Sequence, residues 1–156
     1  MNPLKPGDRV AEFELPDQTG TTRTLTELLA DGPIVLFFYP AAMTPGCTKE
    51  ACHFRDLATE FAAAGATRVG ISADSVDKQA QFADKQNFDY PLLSDVGGVV
   101  ADRFGVRRRI PLGPLSMRRL TFVIGTDRTI LGVLDSELNM NAHADGALAL
   151  LRKRAS

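Results

Sequence analysis

The chain has no tryptophan, and it carries only two cysteines, Cys47 and Cys52, in 156 residues. Two cysteines cannot build the disulfide framework of a small secreted domain. In a reducing compartment a close pair of this kind is more often catalytic, redox-active or metal-binding than structural. Long apolar runs are also missing. The longest, Ile34 to Tyr39, has strand length and falls far short of the roughly 18 residues of a membrane span. Nor is there charge of one sign: 18 basic against 19 acidic residues leave a formal net charge of −1, which argues against a dedicated nucleic-acid or acidic-membrane binder. The first residues lack the apolar stretch of a secretory leader. A cytoplasmic protein is therefore expected, without nucleic-acid or membrane partners. No repeat, low-complexity tract or dividing linker interrupts the chain. Its length fits the roughly 100–200 residues of one domain, so residues 1–156 are expected to fold as a single unit.

What is present reads as strands alternating with helices. Residues 13–15 and 22–25 suggest short strands around the turn at 17–20. Thr24 and Glu27 have capping-box spacing before a short helix through Leu29. Ile34 to Tyr39 is an unbroken apolar run, as expected of a central strand covered on both faces. Thr44-Pro45 opens a helix, with the hydroxyl residue at the N-cap and proline at the first helical position. The apolar stripe Cys47, Ala51, Phe54, Ala58, Phe61, spaced 4, 3, 4 and 3, predicts one continuous helix to about Ala64. A strand at 68–72, a helix at 75–86, a strand at 91–94 and a short helix at 99–104 follow. A hairpin over 120–124 and 129–134 comes next, and a final helix over 142–154 is capped by Asn141. This order implies an α/β fold: a central mixed β-sheet flanked by helices, thioredoxin-like in arrangement, with an N-terminal β-hairpin extension.

The chemistry concentrates in residues 38–52. Cys47 falls in the first turn of its helix, where backbone N–H groups lack intrahelical partners and the dipole end is positive. Both favour thiolate over thiol. The competing reading is a small apolar residue on a buried stripe. Pro40 at the end of the core strand, Thr44 four residues on and Gly46 beside the cysteine would frame a small pocket. In it, proline shields the sulfur, the hydroxyl bonds an incoming oxygen and glycine lets a ligand approach.

These residues carry a resemblance. Pro40-x-x-x-Thr44-x-x-Cys47 resembles the peroxidatic signature of the peroxiredoxins. Thr44-Pro45-Gly46-Cys47-Thr48-Lys49-Glu50-Ala51-Cys52, with cysteines five apart, is similar to the bacterioferritin comigratory protein, or peroxiredoxin Q, subfamily. The likeness runs from Pro6-Gly7 and Phe13-x-Leu15 through Arg119-Leu120-Thr121-Phe122-Val123-Ile124 to the last helix. It implies a thioredoxin-like fold and reduction of hydrogen peroxide and organic hydroperoxides without a cofactor or metal. It also implies recycling by thioredoxin or a similar thiol reductant, in a monomer or weak homodimer. By this resemblance Cys47 is peroxidatic, Cys52 resolving, Thr44 and Pro40 shape the peroxide pocket, and Arg119 is the second-site arginine, with Arg118 its competitor.

An intact helix puts residues five apart roughly 8–9 Å from each other, beyond the usual disulfide limit near 6.8 Å. Joining Cys47 to Cys52 therefore requires the first turns, about Thr44 to Arg55, to unwind. Two other readings compete. A redox relay would pass oxidation from Cys47 to a partner protein. A metal site would draw on Cys47, Cys52, His53 and His143, against which stand the unusual spacing and the divergent helix faces; His143 reads as a capping or surface residue. The arginines at 107–109 and 118–119 would attract an anion or acidic partner, or form a solvated loop with one member used in catalysis.

Overall fold

The structure, a computed structural model, describes residues 2–107 and 117–155. A five-stranded sheet runs β5 (Leu92–Ser94), β4 (Thr67–Ser72), β3 (Ile34–Phe38), β6 (Leu120–Ile124), β7 (Ile130–Asp135). β3 pairs in parallel with β4, and β4 with β5, whereas β6 and β7 run antiparallel to their neighbours. A separate antiparallel pair, β1 (Glu14–Pro16) and β2 (Thr22–Thr24), forms the N-terminal hairpin. The mixed sheet and its hairpin extension are those expected.

β3 shows why its sequence is apolar at every position. Side chains alternate across a strand. Ile34, Leu36 and Phe38 face one core with Phe13, Leu25, Val100, Phe104 and Phe122. Val35, Phe37 and Tyr39 face another with Cys47, Ala51, Phe54, Phe61, Phe82 and Leu148. The hairpin and the helices α1 (Leu25–Leu28) and α5 (Val99–Phe104) serve the first core. The second is covered by α2 (Pro45–Asp56), α3 (Ala58–Ala63), α4 (Val76–Gln86) and α6 (Asn141–Ala155). Among the described residues no helix is long and apolar enough to cross a membrane.

Three local expectations need correction. The helix predicted from Thr44 to Ala64 breaks at Leu57 (φ −97°, ψ 23°) into α2 and α3. The cause lies in another strand: Arg68 of β4 donates from Nη1 to the Phe54 carbonyl at 2.9 Å and to the Arg55 carbonyl at 3.5 Å, intercepting acceptors the helical ladder would use. Thr44 stands at the N-cap position of α2, but its side chain caps nothing. Its Oγ1 donates to the Ala41 carbonyl at 2.8 Å instead. At α6 the cap is supplied by Asn139, whose Oδ1 accepts from Ala142 N–H at 3.2 Å, and Asn141 lies inside the helix. Thr24 and Ser75 do cap their helices, accepting from Glu27 and Lys78 N–H. Of the arginine cluster, Arg108 and Arg109 lie outside the described residues, and Arg107 pairs with Asp102 at 2.6 Å.

Candidate active site

The strand-to-helix passage β3–α2 sets up the site. Pro40, half-buried, follows the strand. Ala42 N–H donates to Asp74 at 2.7 Å, Met43 takes a left-handed backbone (φ 66°), and Thr44 ties back to Ala41. The chain is thus held on both sides of the turn that feeds α2. In α2 the bond from Thr48 N–H to the Thr44 carbonyl is 2.8 Å, so the N–H groups of Gly46 and Cys47 precede the helical ladder and point out of its first turn.

Cys47 is 1% exposed and sits in the second core. Arg119, at the entry to β6, is buried beside it and donates from Nη1 to Cys47 Sγ at 3.4 Å and to Glu50 Oε1 at 2.7 Å. Burial opposes its charge, yet Glu50 and Cys47 together hold it above the usual arginine value. Arg118 points elsewhere and pairs with Asp135 at 2.7 Å on the surface. Of the two competing arginines, only Arg119 reaches the thiol. Gly46 leaves room for this: a Cβ there would lie 3.3 Å from Arg119 Nη2 and 3.6 Å from Met140 Sδ. Cys47, Thr44, Gly46 and Arg119 therefore share one end of α2, with Pro40 on the loop leading into it.

Cys52 lies apart. It is part-exposed and donates to Gln86 Oε1 of α4 at 3.4 Å, and burial pushes its thiol above the usual value. Both cysteines are free thiols on one unbroken helix.

Two site residues escaped the sequence reading. Glu50 is fully buried one turn after Cys47. Burial pushes its carboxyl up to about 8, against the opposing pull of Arg119. Its Oε2 has no hydrogen-bond partner and faces His143 Nδ1 at 3.6 Å. A helical wheel could have found it, since i, i+3, i+4 and i+7 (Cys47, Glu50, Ala51, Phe54) share a face. His143, expected at a cap or surface, is instead fully buried. Its Nδ1 lies 2.8 Å from Thr121 Oγ1 and its Nε2 2.7 Å from the Ser136 carbonyl. Burial, first, and the nearby Arg119 charge hold it below the usual histidine value. His53 faces outward, bonded to Asp145 at 2.7 Å. Among the described residues no three His, Cys, Asp or Glu side chains converge as a metal ion would need.

The profile of the AhpC/TSA family matches residues 6–133. Peroxiredoxin Bcp of Escherichia coli is 39% identical over 158 residues, spanning 99% of this chain and all of that protein. The crystal structure of peroxidoxin BcpB from Mycobacterium tuberculosis superposes with a TM-score of 0.92 at 66% identity, covering 98% of this chain and 99% of that one. The Xanthomonas campestris bacterioferritin comigratory protein, studied for alkyl peroxide reduction, superposes with a TM-score of 0.84 at 33% identity, covering 92% of each chain. These likenesses span nearly the whole length of the chain and extend to its fold. The chain accordingly belongs to the AhpC/TSA family, among its peroxiredoxins of the bacterioferritin comigratory protein, or peroxiredoxin Q, type.

Proposed function

We propose that this protein reduces hydrogen peroxide and organic hydroperoxides at Cys47, resolves the product with Cys52, and is recycled by thioredoxin or a similar dithiol reductant. One observation carries the reading: a buried cysteine in the first turn of α2 lies 3.4 Å from a buried guanidinium. Sulfur attacks the terminal peroxide oxygen, an S–O bond forms, and the O–O bond breaks. Its electron pair leaves with the second oxygen, which takes up a proton and departs as alcohol or water. Charge grows on that leaving oxygen, so donors aimed at it lower the barrier. Arg119 and the Cys47 N–H supply them. Because Thr44 Oγ1 spends its hydrogen on the Ala41 carbonyl, its lone pairs are left to accept from the hydroperoxide O–H and hold the substrate in line.

The sulfenic acid at Cys47 then condenses with the Cys52 thiol. An S–S bond forms, water is released, and the incoming dithiol later takes the oxidation over. The Xanthomonas relative's alkyl peroxide reduction supports organic substrates. The methionines near the site, Met43 and Met140, are suited to an alkyl group. We take the chain to work as one domain in the cytoplasm, as a monomer or weak homodimer.

The test is peroxide consumption with a thioredoxin system. Wild type should turn over steadily. Cys47→Ser should consume none, and Cys52→Ser should consume about one equivalent and stop. Steady turnover by Cys47→Ser refutes the assignment. A single equivalent consumed by wild type, with oxidation passed to another protein, would make it a redox relay.

A further inference from the structure

Behind the sulfur lie two buried groups that peroxide attack leaves unused, Glu50 and His143. Arg119 Nη1 touches two acids at once, Cys47 Sγ at 3.4 Å and Glu50 Oε1 at 2.7 Å. All three groups are buried. One guanidinium balances one anion, and a second uncompensated charge in a water-poor interior is costly. With Arg119 charged, the site is neutral when one acid has ionised and the other keeps its proton.

His143 indicates where that proton rests. Its Nε2 faces the Ser136 carbonyl, which only accepts, so Nε2 carries the hydrogen and in the neutral ring Nδ1 is an acceptor. Nδ1 accepts from the Thr121 hydroxyl at 2.8 Å, and Glu50 Oε2 stands 3.6 Å from it. That carboxyl oxygen is buried without a hydrogen-bond partner. Two bare acceptors facing each other repel, whereas a proton on Oε2 turns the contact into an O–H directed at nitrogen.

We propose that Glu50 and His143 together hold the proton that Cys47 releases on becoming a thiolate, leaving the charge of Arg119 to the sulfur. The inference rests on Cys47 being the attacking thiol. The exchange is Cys47–SH plus Glu50–COO⁻ giving Cys47–S⁻ plus Glu50–COOH. It involves no electron transfer, and the sum with Arg119 is zero on both sides. His143 is a positioning residue: its electron-rich Nδ1, 3.6 Å from Oε2 and outside hydrogen-bond distance, attracts the O–H dipole and repels a bare carboxylate oxygen, and so favours the protonated carboxyl. Burial, which raises Glu50 to about 8 and lowers His143, places the proton on the carboxyl of the pair. The charged and titratable groups facing the pair are Cys47 from α2, Arg119 from the start of β6, Asp135 from the end of β7, Glu137 from the loop before α6, and Tyr90 from the segment before β5. Glu137 adds to the rise at Glu50, Arg119 opposes it, and Asp135 and Glu137 oppose the fall at His143.

The test is infrared spectroscopy of the reduced protein at neutral pH, without peroxide, so it is independent of turnover. Wild type should show a protonated-carboxyl stretch that disappears in Glu50→Gln. In Cys47→Ser, where Glu50 is the one acid left for Arg119, the pH at which the band is lost should fall below that of wild type. Alkylation of Cys47 gives a second readout. His143→Leu should slow it about tenfold in the native background, the equivalent of one pK unit, and His143→Asn, which keeps an acceptor, should restore most of the rate. In Glu50→Gln the His143→Leu effect should vanish, because the amide cannot take up the proton. A wild-type protein without the band, a band lost at the same pH in Cys47→Ser as in wild type, or equal losses of alkylation rate in both backgrounds overturns the proposal. If His143→Leu fails to fold, the Cys47→Ser spectrum still decides. Loss of turnover in Cys47→Ser tests the peroxidase reading separately.

Discussion

Replacing Arg119 by lysine is a strong perturbation of the proposed chemistry, because it keeps the charge and removes the geometry. The guanidinium reaches Cys47 Sγ at 3.4 Å and Glu50 Oε1 at 2.7 Å from one nitrogen, while its Nη2 lies over Gly46. An ammonium is a compact point charge on a flexible stem and cannot cover that spread. It can serve the sulfur or the leaving oxygen but not both, and so leaves the attack short of one charge-assisted bond, worth about 1.5–3 kcal/mol. That corresponds to roughly a 10- to 150-fold loss in the second-order rate constant for peroxide. The assay is single-turnover reduction of peroxide by the pre-reduced enzyme, which isolates attack from recycling. Arg118→Lys is the control. Its side chain pairs with Asp135 at the surface, where an ion pair contributes about 0–1 kcal/mol, so the expected change is less than about fivefold. If Arg119→Lys stays within twofold of wild type in a folded protein, or Arg118→Lys is the slower of the two, the assignment of the arginine is wrong.

Three further outcomes are expected. Thr44→Val, which keeps the shape and loses the hydroxyl, should slow peroxide reduction about tenfold by removing one hydrogen bond near 1 kcal/mol and the tie to Ala41; Thr44→Ser should recover most of it, and an unaffected valine variant would remove Thr44 from the substrate site. Cys52→Ser should accumulate a Cys47 sulfenic acid, read as one added oxygen by intact mass, and should lose recycling by a disulfide reductase unless an external thiol substitutes. Stability should vary with pH through the buried pair. Burial raises the folded Glu50 carboxyl to about 8, against 4.5 for an exposed glutamate, so the folded state binds the extra proton and the Glu50 contribution to stability falls as pH rises between those values. His143 titrates lower folded than 6.5 and contributes the opposite slope below that point, leaving the net fall between pH about 6.5 and 8. Chemical denaturation across that window should show wild type losing stability relative to Glu50→Gln as pH rises, a comparison that isolates the carboxyl from the Cys47 thiol.

The sequence exposed the parts of the fold where local pattern and tertiary role coincide. β3 is apolar throughout because both of its faces are covered, and the Ser75 and Thr24 caps follow side-chain chemistry that needs no distant partner. The break at Leu57 was hidden because its cause, the Arg68 guanidinium, comes from another strand, while the apolar stripe continues across the gap. The site divides the same way. Cys47, Thr44 and Gly46 are legible because they are contiguous. Arg119 is 72 residues away from Cys47 and became visible through family resemblance alone. Glu50 sits between a lysine and an alanine and reads as a solvated helix charge. His143 lies in the first turn of an amphipathic helix, where a cap or exposed histidine is the ordinary expectation. Burying each requires its partners, Arg119 for one and Thr121 with the Ser136 carbonyl for the other, and those partners lie elsewhere in the chain.

The same packing decides how far α2 must open for the two cysteines to meet. The helix is anchored unevenly. Toward its C-terminus Phe54 stacks on Phe37 with ring centroids 4.2 Å apart, Tyr90 Oη donates to the Ala51 carbonyl at 2.7 Å, Arg68 holds the Phe54 carbonyl at 2.9 Å, and Arg55 donates to the Gln86 carbonyl at 2.7 Å. Toward its N-terminus Thr44 provides no cap, and Glu50 leaves one buried oxygen unpartnered. Unwinding should therefore run from Pro45 to about Glu50 and halt at the Ala51 carbonyl, carrying Cys47 to a Cys52 that stays in place, rather than extending to Arg55. Local opening of one such turn draws on the low-stability end of the structure. Hydrogen exchange of the oxidised against the reduced protein should show lost protection confined to residues 45–50, with the amides of 54–57 unchanged. Tyr90→Phe, which removes the clamp on Ala51 and little else, should extend the loss by about one turn. Protection lost through Leu57 in the oxidised wild type would show that the C-terminal anchors do not hold. An oxidised protein with unchanged exchange in α2 and a disulfide between two chains would show that resolution happens without opening the helix at all.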